Sequence, residues 1–459
     1  MTAGKLSRMW VGLGVICMTA AAPADARPSL DQVLREALNQ SHSVRIAEAQ
    51  ADKARFDRHI AYQTYLPNVR LESSYRSLDE RIRFQLDPLS LPLPGTEGLD
   101  IHLPPITLQE RHTFRASVEV SQVLFTGFKV PRLGQAARHG EQAALHKVEA
   151  GKQELLEEVA AAYDRLALID QALEVLEKAE ERLAEEQRVA NKAYTEGLIP
   201  AYDLTRLRIA DQDLKKERID WIGKRELAAR NLEHLTGISW QEFADGPEDG
   251  RPRALEILPV DDALPQSDRP EVRALQEVGK ASRQQHRAAQ SDYMPQVYAF
   301  FRQELYEDDL SVLEPARAVG VGLRWNLFDG FNRSRNVQKA RRDYMIARER
   351  LEEVESLLAL DRHRAEVSLS VAGQQLDVAH EIVNEAETAL RLSTERYRLG
   401  LAPVSEKLEA ETDYRRAEMG WLEAVYEQRR AAIGLLRAAG MMEIEHIVML
   451  ENKNTGGSL

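Results

Sequence analysis

The sequence predicts a mixed α+β membrane protein. Most of it reads as long α-helices packed as coiled coils, with four β-strands per chain that contribute to a barrel closed only by several copies. Three observations carry this expectation. The chain repeats itself, short stretches alternate polar and apolar residues with period two, and two proline-poor runs far exceed the helices of a compact domain.

The repeat has two registers. Leu124-Phe125-Thr126-Gly127-Phe128 returns as Leu327-Phe328-Asp329-Gly330-Phe331, an offset of 203 that also carries Tyr194 onto Tyr397, Gly197 onto Gly400, Pro200 onto Pro403 and Gly237 onto Gly440. Earlier in each half an offset of 228 carries Val44-Arg45 onto Val272-Arg273, Tyr65 onto Tyr293, Pro67 onto Pro295 and Val69 onto Val297. Two fixed registers imply one duplicated unit. The difference between 228 and 203 places 25 extra residues of the first copy between Pro67 and Leu124.

The beginning of the chain reads as an export leader over residues 1–26. Lys5 and Arg8 are basic, Met9 to Ala22 is apolar but too short to span a bilayer, and Ala24-Asp25-Ala26 offers small residues at a cleavage point. The one cysteine, Cys17, falls inside that leader and is a poor acceptor for a lipid because Ile16 precedes it, so the mature chain is expected to lack both disulfides and thiol chemistry. A formal charge of −13 argues against nucleic acid as a partner. After the leader no apolar run approaches the length of a membrane helix, so entry into a membrane would be by strands. A charged fraction of 29% against 6% aromatic suits long solvated helices better than a compact globule.

The elements follow in order. The first repeat is expected over residues 27–238. A helix from Ser29 to Leu66 is stopped by Pro67, a strand–loop–strand unit covers about 68–125, a long helix about 129–196, and a return helix about 200–236. In the strand ending at Leu124, Phe114, Ala116, Val118 and Val120 alternate with Arg115, Ser117, Glu119 and Ser121. Taken alone, such a strand suits a soluble sandwich as well as a barrel; the export leader favours the barrel. The loop between about 78 and 112 holds Pro88, Pro92, Pro94, Pro104, Pro105 and the extra residues. Leu155, Val159, Ala162, Leu166, Ile169, Leu173 and Leu176 repeat at four and three residues, an a/d seam in a helix roughly 105 Å long.

Residues 239–270 read as an equatorial connection. The second repeat is expected over 271–440, with strands at about 297–328, a long helix at about 332–399 and a return helix at about 403–438. Residues 441–459 form a tail. Val319, Val321, Leu323, Trp325 and Leu327 oppose Gly320, Gly322, Arg324 and Asn326. Four strands leave open edges, which a bilayer does not tolerate; two copies give eight strands and three give twelve.

The duplicated Leu-Phe-x-Gly-Phe turns, the Pro67 and Pro295 stops and the paired Tyr-x-x-Gly-Leu-x-Pro segments resemble the TolC-like outer-membrane efflux proteins over nearly the whole mature chain. The resemblance implies a homotrimer with a twelve-stranded barrel in outer-membrane lipid and a periplasmic helical tunnel. It also implies partners: a periplasmic adaptor (membrane fusion protein) and an inner-membrane transporter, either proton-driven or of the ABC type. The expected role is a passive exit duct for efflux or type I secretion.

Two segments concentrate the expected function. The helix tips, Gly197-Leu198-Ile199-Pro200 and Gly400-Leu401-Ala402-Pro403, read locally as tight hairpins with glycine ending one helix and proline starting the next. The resemblance adds docking of an adaptor through exposed Leu198, Ile199 and Leu401. Glu406 and Glu409 share a helix face, which on spacing alone is a solvated surface. By resemblance they form stacked acidic rings at the periplasmic mouth, where Glu stands in place of the family's usual Asp. The first copy has Asp203 and Arg206 there. Asp203 and Tyr397 match a hydrogen-bonded pair that holds the family's tunnel closed, while Ala402 replaces an arginine that adds a further tie.

No P-loop, HExxH, GxSxG or GxGxxG is present, and the 11 histidines are scattered, so neither an enzyme nor a cofactor or metal site is expected. Two other readings stand beside it, a periplasmic coiled-coil adaptor and a structural envelope protein. The first needs one hairpin rather than two; the second leaves the period-two strands unexplained.

Overall fold

The structure, a computed structural model, describes residues 28–85, 89–91, 99–101, 104–243, 269–306, 310 and 314–452. The expected leader over 1–26 lies outside the described residues, as do most of the connection over 239–270 and the last part of the tail. The elements in order are α1 (Leu30–Gln40), α2 (His42–Gln63), β1 (Asn68–Ser77), β2 (Ile82–Phe84), β3 (Leu89–Leu91), β4 (Leu99–Ile101), β5 (Ile106–Gln109), β6 (His112–Phe125), α3 (Lys129–Thr195), α4 (Ala201–Thr236), α5 (Pro270–Gln290), β7 (Gln296–Glu304), β8 (Arg317–Arg324), α6 (Asn332–Arg398), α7 (Val404–Ala438) and α8 (Ile444–Asn452). None of the described helices is long and apolar enough to cross a membrane.

The principal sheet is antiparallel, in the order β1-β6-β7-β8. Its register aligns the alternation across all four strands. Val69 pairs with Val120, Leu71 with Val118 and Tyr75 with Phe114; Val120 meets Phe301, and Phe301 meets Val319. This face is bare: Leu71 is 68% exposed and Val319 83%. The opposite face pairs Arg70 with Glu119 and Glu119 with Arg302, whose guanidinium donates to Glu119 Oε2 at 2.6 Å. Among the described residues both outer strands, β1 and β8, leave one edge unpaired.

The extended strand–loop–strand hairpin differs from the expected long loop. Two short pairs, β2 with β5 and β3 with β4, continue the β1–β6 hairpin as a ribbon, with a register shift at Ile82/Arg83 and an Arg81–Glu110 ion pair of 2.9 Å. Pro88, Pro92 and Pro94 lie outside the described residues. The expected strand running through Leu327 stops instead at Arg324. Trp325 Nε1 donates to Tyr293 O at 3.1 Å, and Asp329 turns to accept from Arg333 N at 3.0 Å at the start of α6.

Each sheet-to-helix turn holds two successive residues at positive φ, Gly127 and Phe128 in one and Gly330 and Phe331 in the other, with φ between 62° and 69°. Phe125 packs edge-on to Phe128 at 5.4 Å and Phe328 to Phe331 at 5.6 Å. Thr126 Oγ1 accepts from Val130 N as Asp329 accepts from Arg333 N, so the variable third residue of the motif satisfies a helix-start amide.

The helices run from the sheet to distant tips. The expected single helix from Ser29 to Leu66 is two helices. Ser41, at ψ 130°, ends α1 by donating to Ala37 O and caps α2 by accepting from Ser43 N; a serine oxygen within reach of the next amide competes with the helical bond. The main core lies at mid-height. There Leu30, Val33 and Leu34 of α1, Leu155, Val159 and Leu166 of α3, Leu232 of α4, Phe243, Ile433 and Leu436 of α7 and Met442 and Ile447 of the tail form one apolar cluster. The heptad seam of α3 is thus covered. By contrast α6, equally long at 67 residues, buries only Leu369, Ala372 and Ser393.

Candidate functional site at the helix tips

The tips are set by backbone chemistry. At the end of α3, Gly197 N donates to Tyr194 O and Leu198 N to Ala193 O at 3.0 and 2.8 Å; at the end of α6, Gly400 N donates to Tyr397 O and Leu401 N to Arg396 O at 2.9 and 2.8 Å. This six-to-one and five-to-two pattern closes a helix on a left-handed residue, and Gly197 and Gly400 have φ of 74° and 72°. Pro200 and Pro403 occupy the cap position in extended conformation, one residue before the first helical turn that was expected for them.

Leu198 and Leu401 project into solvent, 72% and 68% exposed, as does Leu399 at 66%. Ile199 does not: it packs against the cluster of Leu204, Leu207 and Leu214 of α4 and Val404 of α7. The expected apolar knob at Ile199 is therefore an anchor, because the chain turns inward to start α4. Leu399 belongs to the exposed set in its place, a position the repeat did not flag.

The acidic pair separates. Glu406 is held by Arg396 of α6 at 3.4 Å, while Glu409 faces a groove of about 550 Å³ between α3, α4 and α7, lined by Arg182, Arg206, Asp213 and Arg415 among others. Among the described residues Asp203 and Tyr397 make no hydrogen bond to each other, contrary to the expected tie. Burial first, and then the Glu186 and Asp203 carboxylates, push the Tyr397 phenol above its ordinary range. Ala402 is half-buried.

What stands beneath Tyr397 is a residue the sequence reading passed over. Lys407, 6% exposed, makes an ion pair with Glu186 of α3, and its ammonium lies 5.5 Å from the Tyr397 ring centre. A buried lysine so placed is held by the opposite charge and the ring face. One turn on, burial pushes Glu411 up, with Lys407, Arg182 and Arg415 opposing and Glu186 reinforcing the shift. Tyr414 is pushed up to about 12, chiefly by burial and then by Glu418. Further from the tip, Arg429 of α7 grips Asp164 of α3 through two bonds of 2.9 and 2.8 Å, and Arg415 reaches Glu217 of α4 at 3.4 Å. These pairs join the α6–α7 hairpin to the α3–α4 hairpin. A periodicity search could not have found them, since Lys407 and Glu186 are 221 positions apart. No cluster of metal-binding side chains occurs among the described residues.

The family model described as "Outer membrane efflux protein" matches residues 33–238 and 264–441. Among solved structures, the outer membrane protein VceC from Vibrio cholerae superposes with a TM-score of 0.72 at 18% identity, over 90% of this chain and 96% of that one. The CmeC outer membrane channel of Campylobacter jejuni gives 0.70 at 15% identity, over 98% of each chain. The open state of the Neisseria gonorrhoeae MtrE outer membrane channel gives 0.67 at 19% identity, over 91% and 90%. At these identities the superpositions speak to fold. No curated protein matches.

Proposed function

This chain belongs to the outer membrane efflux protein family and is an outer-membrane channel of efflux with a large periplasmic helical extension, and on that premise we propose how it works. Three copies join their four-stranded sheets into a twelve-stranded barrel, and their hairpins form a tunnel about 100 Å long. Transport is passive and involves no catalysis; energy comes from an inner-membrane transporter, proton-driven or ABC, reached through a periplasmic adaptor. The observation that carries this reading is the sheet. It presents a bare apolar face and two unpaired edges at the head of two helices of 67 residues each, which is stable only when lipid and further copies cover it.

The tips are the docking and gating end in this proposal. Leu198, Leu399 and Leu401, carried on the Gly197–Pro200 and Gly400–Pro403 turns, supply exposed apolar contacts for the adaptor, with Ile199 anchoring the first turn from within. Glu406 and Glu409 line the aperture, with Asp203 and Tyr397 beside it. Glu409 is the freer charge; Glu406 contributes when Arg396 moves away. Purified protein in planar bilayers is expected to open cation-preferring pores, and Glu406→Gln with Glu409→Gln to move the reversal potential toward zero. Absence of pores would overturn the duct; pores with an unaltered reversal potential would remove the two glutamates from the aperture.

A further inference from the structure

Near the sheet the helices pack in the row α2–α3–α5–α6: α3 touches α2 and α5, and α5 touches α3 and α6. Both inner helices are covered on two sides. The two end helices each have one face left over. On α2, Val44 and Ala51 are buried on the α3 side, where Arg58 reaches Glu141 at 2.8 Å. Its other seam, Ile46, Ala49, Lys53, Phe56 and Ile60, repeats at three and four residues yet is bare, Ile46 being 59% exposed, Phe56 63% and Ile60 58%. On α6, Arg335, Lys339, Arg342 and Ile346 fall on one face at i, i+4, i+7 and i+11 and are exposed.

Among the described residues the charges on these two faces are largely unspent and opposite in net sign, with Lys53 a cation inside the α2 seam. Among the described residues Arg335 and Lys339 have no acidic partner, and Arg342 donates only to Met345 Sδ at 3.8 Å. On α2, among the described residues, Glu48 and Asp57 have no basic partner, and Asp52 has only Arg55 at 3.8 Å.

The repeat registers indicate how the faces meet. The 203 offset carries Arg132, Ala136, His139 and Ala143 onto Arg335, Lys339, Arg342 and Ile346. In the first half those residues face α5: Arg132 donates to Arg287 O and Ser291 Oγ at 2.6 and 2.8 Å, His139 bonds Glu277 at 2.6 Å, and Ala136 and Ala143 are buried. The 228 offset carries Ala274, Glu277, Ala281 and Ala288 of α5 onto Ile46, Ala49, Lys53 and Ile60 of α2. Transferred by both registers, Arg335 lies level with His59 and Gln63, and Arg342 level with Ala49. Asp52 and Asp57 fall between.

We propose that the Arg335–Ile346 face of α6 seats on the Ile46–Ile60 seam of α2 in the next copy, with Lys339 and Arg342 meeting Asp57 and Asp52 there. The two faces differ, so the contact is head-to-tail and generates a ring when its rotation closes. Ile346, Phe56 and Ile60 supply the apolar burial, and the flanking charges select the register. The inference rests on the oligomeric duct reading and names the surface that builds it.

The test uses the full chain in detergent, with Cys17→Ser, Asp57→Cys and Lys339→Cys combined. Mild oxidation is expected to give a ladder of covalent multimers up to the assembled ring, collapsed by reductant; oligomers that yield no ladder overturn this interface. Separately, Lys339→Glu with Arg342→Glu is expected to weaken assembly about tenfold or more, and added Asp52→Lys and Asp57→Lys to restore it; assembly indifferent to both sets also overturns it. Wild-type protein that stays monomeric in detergent and in membranes overturns the duct reading itself.

Discussion

Lys407 joins two helices that share no local sequence signal. Its ammonium is buried between the Glu186 carboxylate and the Tyr397 ring, so neutralising either charged partner leaves the other uncompensated, at a cost of about 3–5 kcal/mol where water does not enter. Because this pair links the α6–α7 hairpin to α3 near its tip, Lys407→Met and Glu186→Gln are each expected to loosen the aperture and raise single-channel conductance severalfold. The exchange Lys407→Glu with Glu186→Lys should recover much of the original value. Conductance unchanged in all three, with the oligomer intact, would show that the pair plays no part in holding the mouth.

Glu411 offers a pH signature at the same scale. Its folded pKa is raised, chiefly by burial, so the ionised side chain opposes folding and the protonated one does not. The stability this group contributes is therefore present at low pH and lost as pH rises through its folded value. Glu411→Gln should raise the thermal midpoint near neutral pH and make little difference at about pH 4, where the wild-type carboxyl is already largely protonated. An equal gain at both pH values would rule out titration as the cause.

Among the elements, the sheet shows why small residues recur on its polar face. A Cβ on Gly322 would lie 2.4 Å from Tyr298 Cζ, and one on Gly320 would lie 2.9 Å from Phe300 Cζ, because each ring from β7 lies across the glycine opposite it on β8. Arg324 then covers the Tyr298 ring, 5.4 Å from its centre. Gly322→Val has to displace the tyrosine, and a loss of roughly 1–3 kcal/mol is expected from overpacking, read as a lower temperature for oligomer dissociation on a heated gel. Tyr298→Ala in the same chain should relieve part of the loss; no relief would mean that the ring is not the obstacle. The tips follow equally local rules, since a left-handed glycine and two backbone bonds suffice to end each long helix. Ser41 shows the opposite case: one hydroxyl placed two residues before a free amide divides what periodicity reads as a single helix.

At the scale of the molecule, much of the fold was legible because its signals are local or strictly periodic. Alternation placed the strands, the 155–176 seam marked a covered face of α3, and the glycine–proline tips located the far ends of the hairpins. Less of the site was legible. By resemblance the sequence paired Tyr397 with Asp203 as a hydrogen-bonded tie; that bond is absent among the described residues. In the structure Lys407 and Glu186 are the groups beneath it, and Ile199 turns inward. Those contacts depend on how α3, α4, α6 and α7 rotate about their axes, and a rotation of one residue, about 100°, exchanges one set of neighbours for another.

The sequence by itself determined the two-faced alternation of the sheet strands and, to within a residue, where the two longest helices begin and end. Hydropathy period, proline placement and left-handed glycines act over a few residues and need no partner to be read. Only the tertiary structure decided which charges are joined, which are buried, and which faces remain bare. Those outcomes are set by packing between segments some 200 positions apart, as between Glu186 and Lys407, whose burial and electrostatic partners exist only once the helices are side by side.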